Sequence, residues 1–146
     1  MTGHFLIIEA NFYKDLGEAL AEGAIAALSD ANASFERVSV PGALEVPGAI
    51  ALAAASDKGF DGYVALGCVI RGETSHYDTV CNESARGIME LTLEHLAVGN
   101  GIITVEDAEQ AWARADASRK DKGGDAARAA LRMADIANTY LGGVEN

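Results

Sequence analysis

The stretch GYVALGCVI, residues 62–70, is apolar on both of its alternating faces, and a strand of that kind has to be covered on two sides. One wet face is excluded, so layers of helix are needed above and below the sheet that holds it. The flanking segments supply them. HFLIIEA (4–10) is another short apolar run, and LGEALAEGAIAALSDA behind it repeats Leu16, Leu20, Ala24 and Leu28 at helical spacing. ASFERVSV (33–40) alternates as a half-exposed strand. VPGALEVPGAIALAAAS (40–56) reads as a Pro/Gly turn and an alanine-rich helix, with Pro47 tolerable only in the first turn because it lacks the N–H an interior position uses. YDTVCNESARGIMELTLEHLAVG (77–99) reads as a long helix presenting Val80, Ile88, Leu91 and Leu96 on one face. GIITV (101–105) is a fourth strand, EDAEQAWARA (106–115) a short helix, and GDAARAALRMADIANTYL (124–141) a closing helix striped by Ala127, Leu131, Ala134, Ile136 and Leu141.

Strand and helix alternate four times, which predicts a four-stranded parallel sheet with right-handed crossovers and helices on both faces. This is a flavodoxin-like three-layer αβα sandwich. The 146 residues fit one domain, 1–146, with no low-complexity linker or repeat to divide it. A formal charge of −11 argues against nucleic acid or an anionic membrane surface as partner, and no apolar run approaches the roughly 18 residues of a membrane span. The opening MTGHFLIIEANFYKD has no basic segment ahead of its short apolar run, and Cys68 and Cys81 show no CxxC spacing. The expectation is a soluble cytoplasmic chain with reduced thiols, Cys68 buried as a small hydrophobe and Cys81 at a helix interface.

In parallel α/β sheets, ligands bind outside the carboxyl ends of the strands, where loops and helix N-termini converge. The segments falling there are ANFYKD, VPGALE and RGETSHYD, followed after the fourth strand by the short helix leading to Arg114, Arg119, Lys120 and Lys122. That basic group suits either a solvated helix end or a local anion site in an acidic protein. RGETSHYD hands a buried strand over to a helix, so its N–H groups and the positive end of the helix dipole suit an anion, and phosphate above all. Gly72 permits close backbone approach and Thr74 and Ser75 offer hydroxyls, although either hydroxyl also suits a plain helix cap. Glu73 would repel a bound phosphate unless its side chain turns away and only its N–H takes part. His76 offers an imidazole that exchanges protons near neutral pH, with a purely structural role at a helix start as the competing reading.

Other chemistries find no support. His4, His76, His95 and the two cysteines lack zinc-like spacing, so no metal is expected. There is no GxxxxGK[ST] loop, no GxSxG elbow, and GNG at 99–101 precedes a strand instead of opening a helix. A phosphorelay receiver needs acids after its first and third strands, where this chain has Arg71 and His76 after the third. A phosphorylated small molecule remains.

VPGALEVP, GCVIRGETSHYD and the spacing from Arg114 to Lys122-Gly123, in that order, closely resemble the 6,7-dimethyl-8-ribityllumazine synthase family, over about residues 5–141. The resemblance implies condensation of 5-amino-6-(D-ribitylamino)uracil with 3,4-dihydroxy-2-butanone 4-phosphate to the lumazine, phosphate and water, the penultimate step of riboflavin biosynthesis, without cofactor or metal. It implies His76 as the proton-transfer residue and Gly72, Glu73 and Thr74 as a phosphate cradle, with Arg114 as guanidinium partner. It further implies Phe12 stacking on the pyrimidine, Ala43, Leu44 and Glu45 lining the ring and ribityl pocket, Val69 and Ile70 offering backbone to the pyrimidine edge, and Lys122 near the ring. The family's site is shared between neighbouring subunits of a pentamer, or multiples of it, which makes a homo-oligomer the expected partner.

The chain departs from the family's pattern in the stacking shell. Tyr13 stands where many members carry asparagine, Leu44 replaces a frequent phenylalanine, Asn100 stands where an adjacent-subunit aromatic often stacks, and Asp121 replaces the asparagine before the lysine. A flavin- or lumazine-binding or shell-forming homologue with little turnover is the alternative those changes raise.

Overall fold

The computed structural model describes residues 3–142. Met1 and Thr2, where the segment read as lacking a leader begins, lie outside the described residues, as do positions 143–146 at the far limit of the expected domain. Four strands, β1 (His4–Ala10), β2 (Ser34–Val40), β3 (Gly62–Ile70) and β4 (Val98–Val105), form one wholly parallel sheet in the order β2-β1-β3-β4. Five helices cover it: α1 (Lys14–Asp30), α2 (Val46–Ala55), α3 (His76–Leu93), α4 (Ala108–Ala115) and α5 (Lys122–Leu141). This is the expected three-layer α/β sandwich.

Two cores explain the apolar run in β3. Val64, Leu66 and Cys68 pack with Leu16, Leu20, Leu28, Ala111, Ala115, Ala127 and Ala130 on the side of α1, α4 and α5. Tyr63 and Ala65 face the opposite way, against Val46, Ile50 and Ile88 of α2 and α3. The strand is buried from Gly62 to Cys68 and opens only at Val69 and Ile70, where the sheet ends and the loops begin. All four expected α1 residues are buried, and Pro47 sits in the first turn of α2. β2, by contrast, is an edge strand paired only to β1, and most of it is exposed.

The structure corrects the boundary between α3 and β4. The helix stops at Leu93, His95 takes a left-handed φ of 77°, and the Leu96 N–H turns back to the carbonyl of Leu91. Leu96 therefore lies past the helix and not on its face. β4 starts at Val98, so GNG is inside the strand and does not precede it. Glycine there follows from close packing of α5: a Cβ on Gly99 would overlap the Ala126 carbonyl oxygen and approach its carbon to 2.8 Å. In the expected α5 stripe, Ala127 and Ala134 are buried, whereas Ile136 is half-buried and Leu141 is exposed.

Candidate functional site

The chain leaves β1 toward β2 on one side and returns to place β3 on the other, so the strand order switches between β1 and β3. A cavity of about 440 Å³ opens there, at the carboxyl ends. The segment after β1 contributes Phe12 and Tyr13. A single 3₁₀ turn after β2 contributes Ala43, Leu44 and Glu45, and the end of β3 gives Val69 and Ile70. Gly72, Thr74 and His76 line the remaining side. Phe12 is 73% exposed, its ring held edge-on to Tyr13 at 4.9 Å between centroids, so one aromatic face stays open to a planar ligand.

The loop into α3 keeps its donors free. Arg71 anchors it by giving its N–H to the Val105 carbonyl at 2.9 Å. Beyond that, among the described residues, the N–H groups of Gly72, Glu73, Thr74, Ser75 and Tyr77 have no hydrogen-bond acceptor. Thr74 Oγ1 accepts the His76 N–H at 3.2 Å, so this hydroxyl makes a local turn contact, and Ser75, the residue at the cap position, makes no cap bond. A Cβ on Gly72 would meet nothing within 4 Å, which leaves that flank open to a ligand. Glu73 is exposed and does not line the cavity.

Cys68 forms part of the cavity wall, and burial pushes its thiol up to about 11. At neutral pH it is a protonated, small apolar group and not a nucleophile. Cys81 is half-buried on α3, its thiol also raised, first by desolvation. Among the described residues no cluster of three His, Cys, Asp or Glu is arranged to hold a metal ion.

Arg114 and Lys122 do not line this cavity. They border a second one, about 470 Å³, between β4 and α5, together with Asn100, Thr104 and Asp125, and the two cavities share no lining residue. Arg114 closes α4, where a cation complements the helix dipole, and its Nη1 donates to the Gln110 carbonyl at 3.0 Å. Lys122 opens α5 and stands 3.6 Å from Asp125. Arg119 and Lys120 line neither cavity, so the basic group of the sequence divides into two cavity residues and two surface ones. Asp121 has a left-handed φ of 49° and caps α5 by accepting the Gly124 N–H at 3.1 Å, a conformation that, among residues with a side chain, asparagine and aspartate tolerate best.

Sequence reasoning passed over Pro41, Gly42, Cys68, Tyr77 and Val80 in the first cavity. Val80 was within reach, since it lies four residues from His76 on the same helix face. Pro41 and Cys68 needed the three-dimensional meeting of loops.

The family model for 6,7-dimethyl-8-ribityllumazine synthase matches residues 2–138. A Sphingopyxis alaskensis protein named 6,7-dimethyl-8-ribityllumazine synthase is 65% identical over 130 residues, covering 89% of this chain and 92% of its own. Proteins of the same name from Agrobacterium fabrum and Bartonella henselae are 57% and 58% identical, covering 96% and 89% of this chain and 97% and 85% of theirs. With the sheet order, the open loop ahead of α3 and a match over nearly its whole length, the chain belongs to the 6,7-dimethyl-8-ribityllumazine synthase family.

Proposed function

We infer that the protein condenses 5-amino-6-(D-ribitylamino)uracil with 3,4-dihydroxy-2-butanone 4-phosphate, releasing phosphate and water as the lumazine forms. The observation that carries the reading is the meeting, in one cavity at the β1/β3 switch, of an open aromatic face, a loop of free N–H groups and an imidazole. The chemistry needs each of them. The pyrimidine amine attacks the ketone to give an imine with loss of a first water, the phosphate leaves by elimination, and the ribityl-bearing nitrogen closes the second ring with loss of a second.

Phe12 stacks on the pyrimidine, and Val69 and Ile70 present backbone to its edge. Ala43 and Leu44 wall the ribityl chain, whose hydroxyls donate to the Glu45 carboxylate. The N–H groups of Gly72, Glu73 and Thr74 hold the phosphate, and His76 moves the protons of imine formation and elimination. Tyr13 brings a phenol to the pyrimidine side of the pocket.

Arg114 and Lys122 reach this cavity from a neighbouring copy, so the working unit is a homo-oligomer, a pentamer or a multiple of it. The unconnected polar cavity at the β4 edge supports this, as do the exposed Leu52, Met89 and Leu93 on α2 and α3. Among the described residues no helix is long and apolar enough to cross a membrane.

Incubating the purified protein with both substrates and following lumazine absorbance tests the reading. Formation well above the uncatalysed rate is expected. Riboflavin binding without product would favour the binding homologue, whose case rests on the altered positions Tyr13, Leu44 and Asn100.

A further inference from the structure

We propose that Arg71 is a positioning residue that clasps both ends of the loop 72–75 and thereby holds its N–H groups open toward the phosphorylated substrate. The inference rests on reading that loop as the phosphate cradle, a role in which Arg71 itself has no part. Its guanidinium turns away from the cavity, which it does not line. Nε donates to both Glu106 oxygens, at 3.0 and 3.1 Å, just past the end of β4. Cζ lies 4.3 Å from the centre of the Tyr77 ring, and Nη1 is 3.8 Å from Asp78 Oδ1. One side chain therefore ties the residue before the loop to the first turn of α3 after it, and both to β4.

Two consequences follow for the loop. Tyr77 and Asp78 directly follow His76 in the first turn of α3, so the clasp sets the direction in which the free N–H groups point. Asp78 is also a carboxylate in the first turn of α3, close to where an anion binds, and Arg71 neutralises it. On the other side Glu106 is itself held, its N–H donating to Gln110 Oε1 at 2.8 Å in the first turns of α4. Arg71 and Glu106 side chains are 43% and 58% exposed, and a pair so exposed contributes little to stability. Its effect is one of orientation.

Kinetics on the intact assembly, with inorganic phosphate as competing ligand, separate position from charge. Arg71→Ala and Arg71→Lys should each raise KM for the butanone phosphate, and the inhibition constant of inorganic phosphate, about threefold to tenfold, leaving KM for the pyrimidine unchanged. Lysine keeps the charge but loses the Nε–H shared between the Glu106 oxygens and the guanidinium set over the Tyr77 ring. Glu106→Ala should weaken phosphate in the same direction, although removing a negative charge near an anion site would by itself tighten it. The double variant Arg71→Ala/Glu106→Ala should be no worse than Arg71→Ala alone. Full rescue by lysine, or phosphate binding that is unchanged or tighter in Glu106→Ala, overturns the clasp. Glu106→Gln, nearly isosteric, carries the same test if an alanine variant does not fold. A wild type indifferent to inorganic phosphate would instead overturn the reading of the loop, which none of these variants alters.

Discussion

At the scale of single residues, the placement of His76 separates two roles that its sequence position leaves open. It stands at the first position of α3, exposed and lining the cavity, with its backbone N–H occupied by Thr74 and its ring free of any structural hydrogen bond among the described residues. His76→Ala should therefore lower kcat by no more than about 10²–10⁴-fold, and toward the small end, because an amine and a ketone condense readily once held together. An unchanged kcat in steady-state assays would remove the imidazole from the mechanism. At the opposite end of the sheet, His4 plays a structural part. Its Nδ1 lies 2.6 Å from Ser34 Oγ, its Nε2 lies 2.8 Å from Glu36, and its ring stacks on Phe60. Bonds from His4, then Lys58, hold the Glu36 carboxyl below its ordinary 4.5. A carboxyl depressed by folding adds stability above its unfolded value and gives it up as the pH falls through its folded one. Glu36→Gln should flatten the acid limb of the melting temperature against pH below about 4.5 and lower the neutral melting temperature by the same small amount, since the variant never has the stability that Glu36 gives up on protonation. Equal acid limbs in variant and wild type would refute that linkage.

At the scale of elements, close approach between α5 and the sheet decides what the glycines are for. A Cβ on Gly99 meets the Ala126 backbone, and one on Gly123 meets the Leu20 carbonyl of α1. Both obstacles are backbone, which yields only if a whole helix moves. Gly99→Ala should cost about 3 kcal/mol or more in chemical denaturation, at or above the upper end of ordinary overpacking, whereas Gly48→Ala, with nothing within 4 Å, should be near neutral or stabilising. A small loss at Gly99 would mean that α5 is free to shift. The same packing explains what could be read ahead of the structure. The type and order of the elements follow from periodicity, since β3 is apolar on both faces and α1 repeats at helical spacing. The start of β4 does not. Val98-Gly99-Asn100 continues an apolar stretch out of a helix, and the two glycines that suggest a loop are demanded by a helix much further along the chain, a contact without local signature.

At the scale of the whole molecule, the loops at the first cavity were legible because a parallel sheet brings strand ends together, while the place of Arg114 and Lys122 was not. These two border a separate polar cavity at the free β4 edge, and nothing in their spacing says which cavity they complete. A closed ring of copies, each meeting the next head to tail, lets the second cavity of one chain face the first cavity of its neighbour. This geometry has a genetic signature. Arg114→Ala alone should weaken handling of the butanone phosphate, visible as a raised KM, and His76→Ala alone should slow turnover. Co-expressed in equal amounts, the two impaired chains should regain activity. A boundary is intact whenever an Arg114→Ala chain supplies His76 and its neighbour supplies Arg114, which random mixing produces at about a quarter of boundaries. The regained activity should travel with a particle five or more times the 15.2 kDa chain in size-exclusion chromatography with light scattering. With both groups acting within one chain, mixing would return nothing beyond the sum of the separate variants, and a particle of a single chain mass would exclude the shared site outright. Each chain carries a formal charge of −11, so in the proposed ring neighbours would repel, and the assembly should hold better as salt is raised toward physiological strength. An assembly that instead came apart with added salt would point to ion pairs, and not the apolar Leu52, Met89 and Leu93, as what holds the copies together.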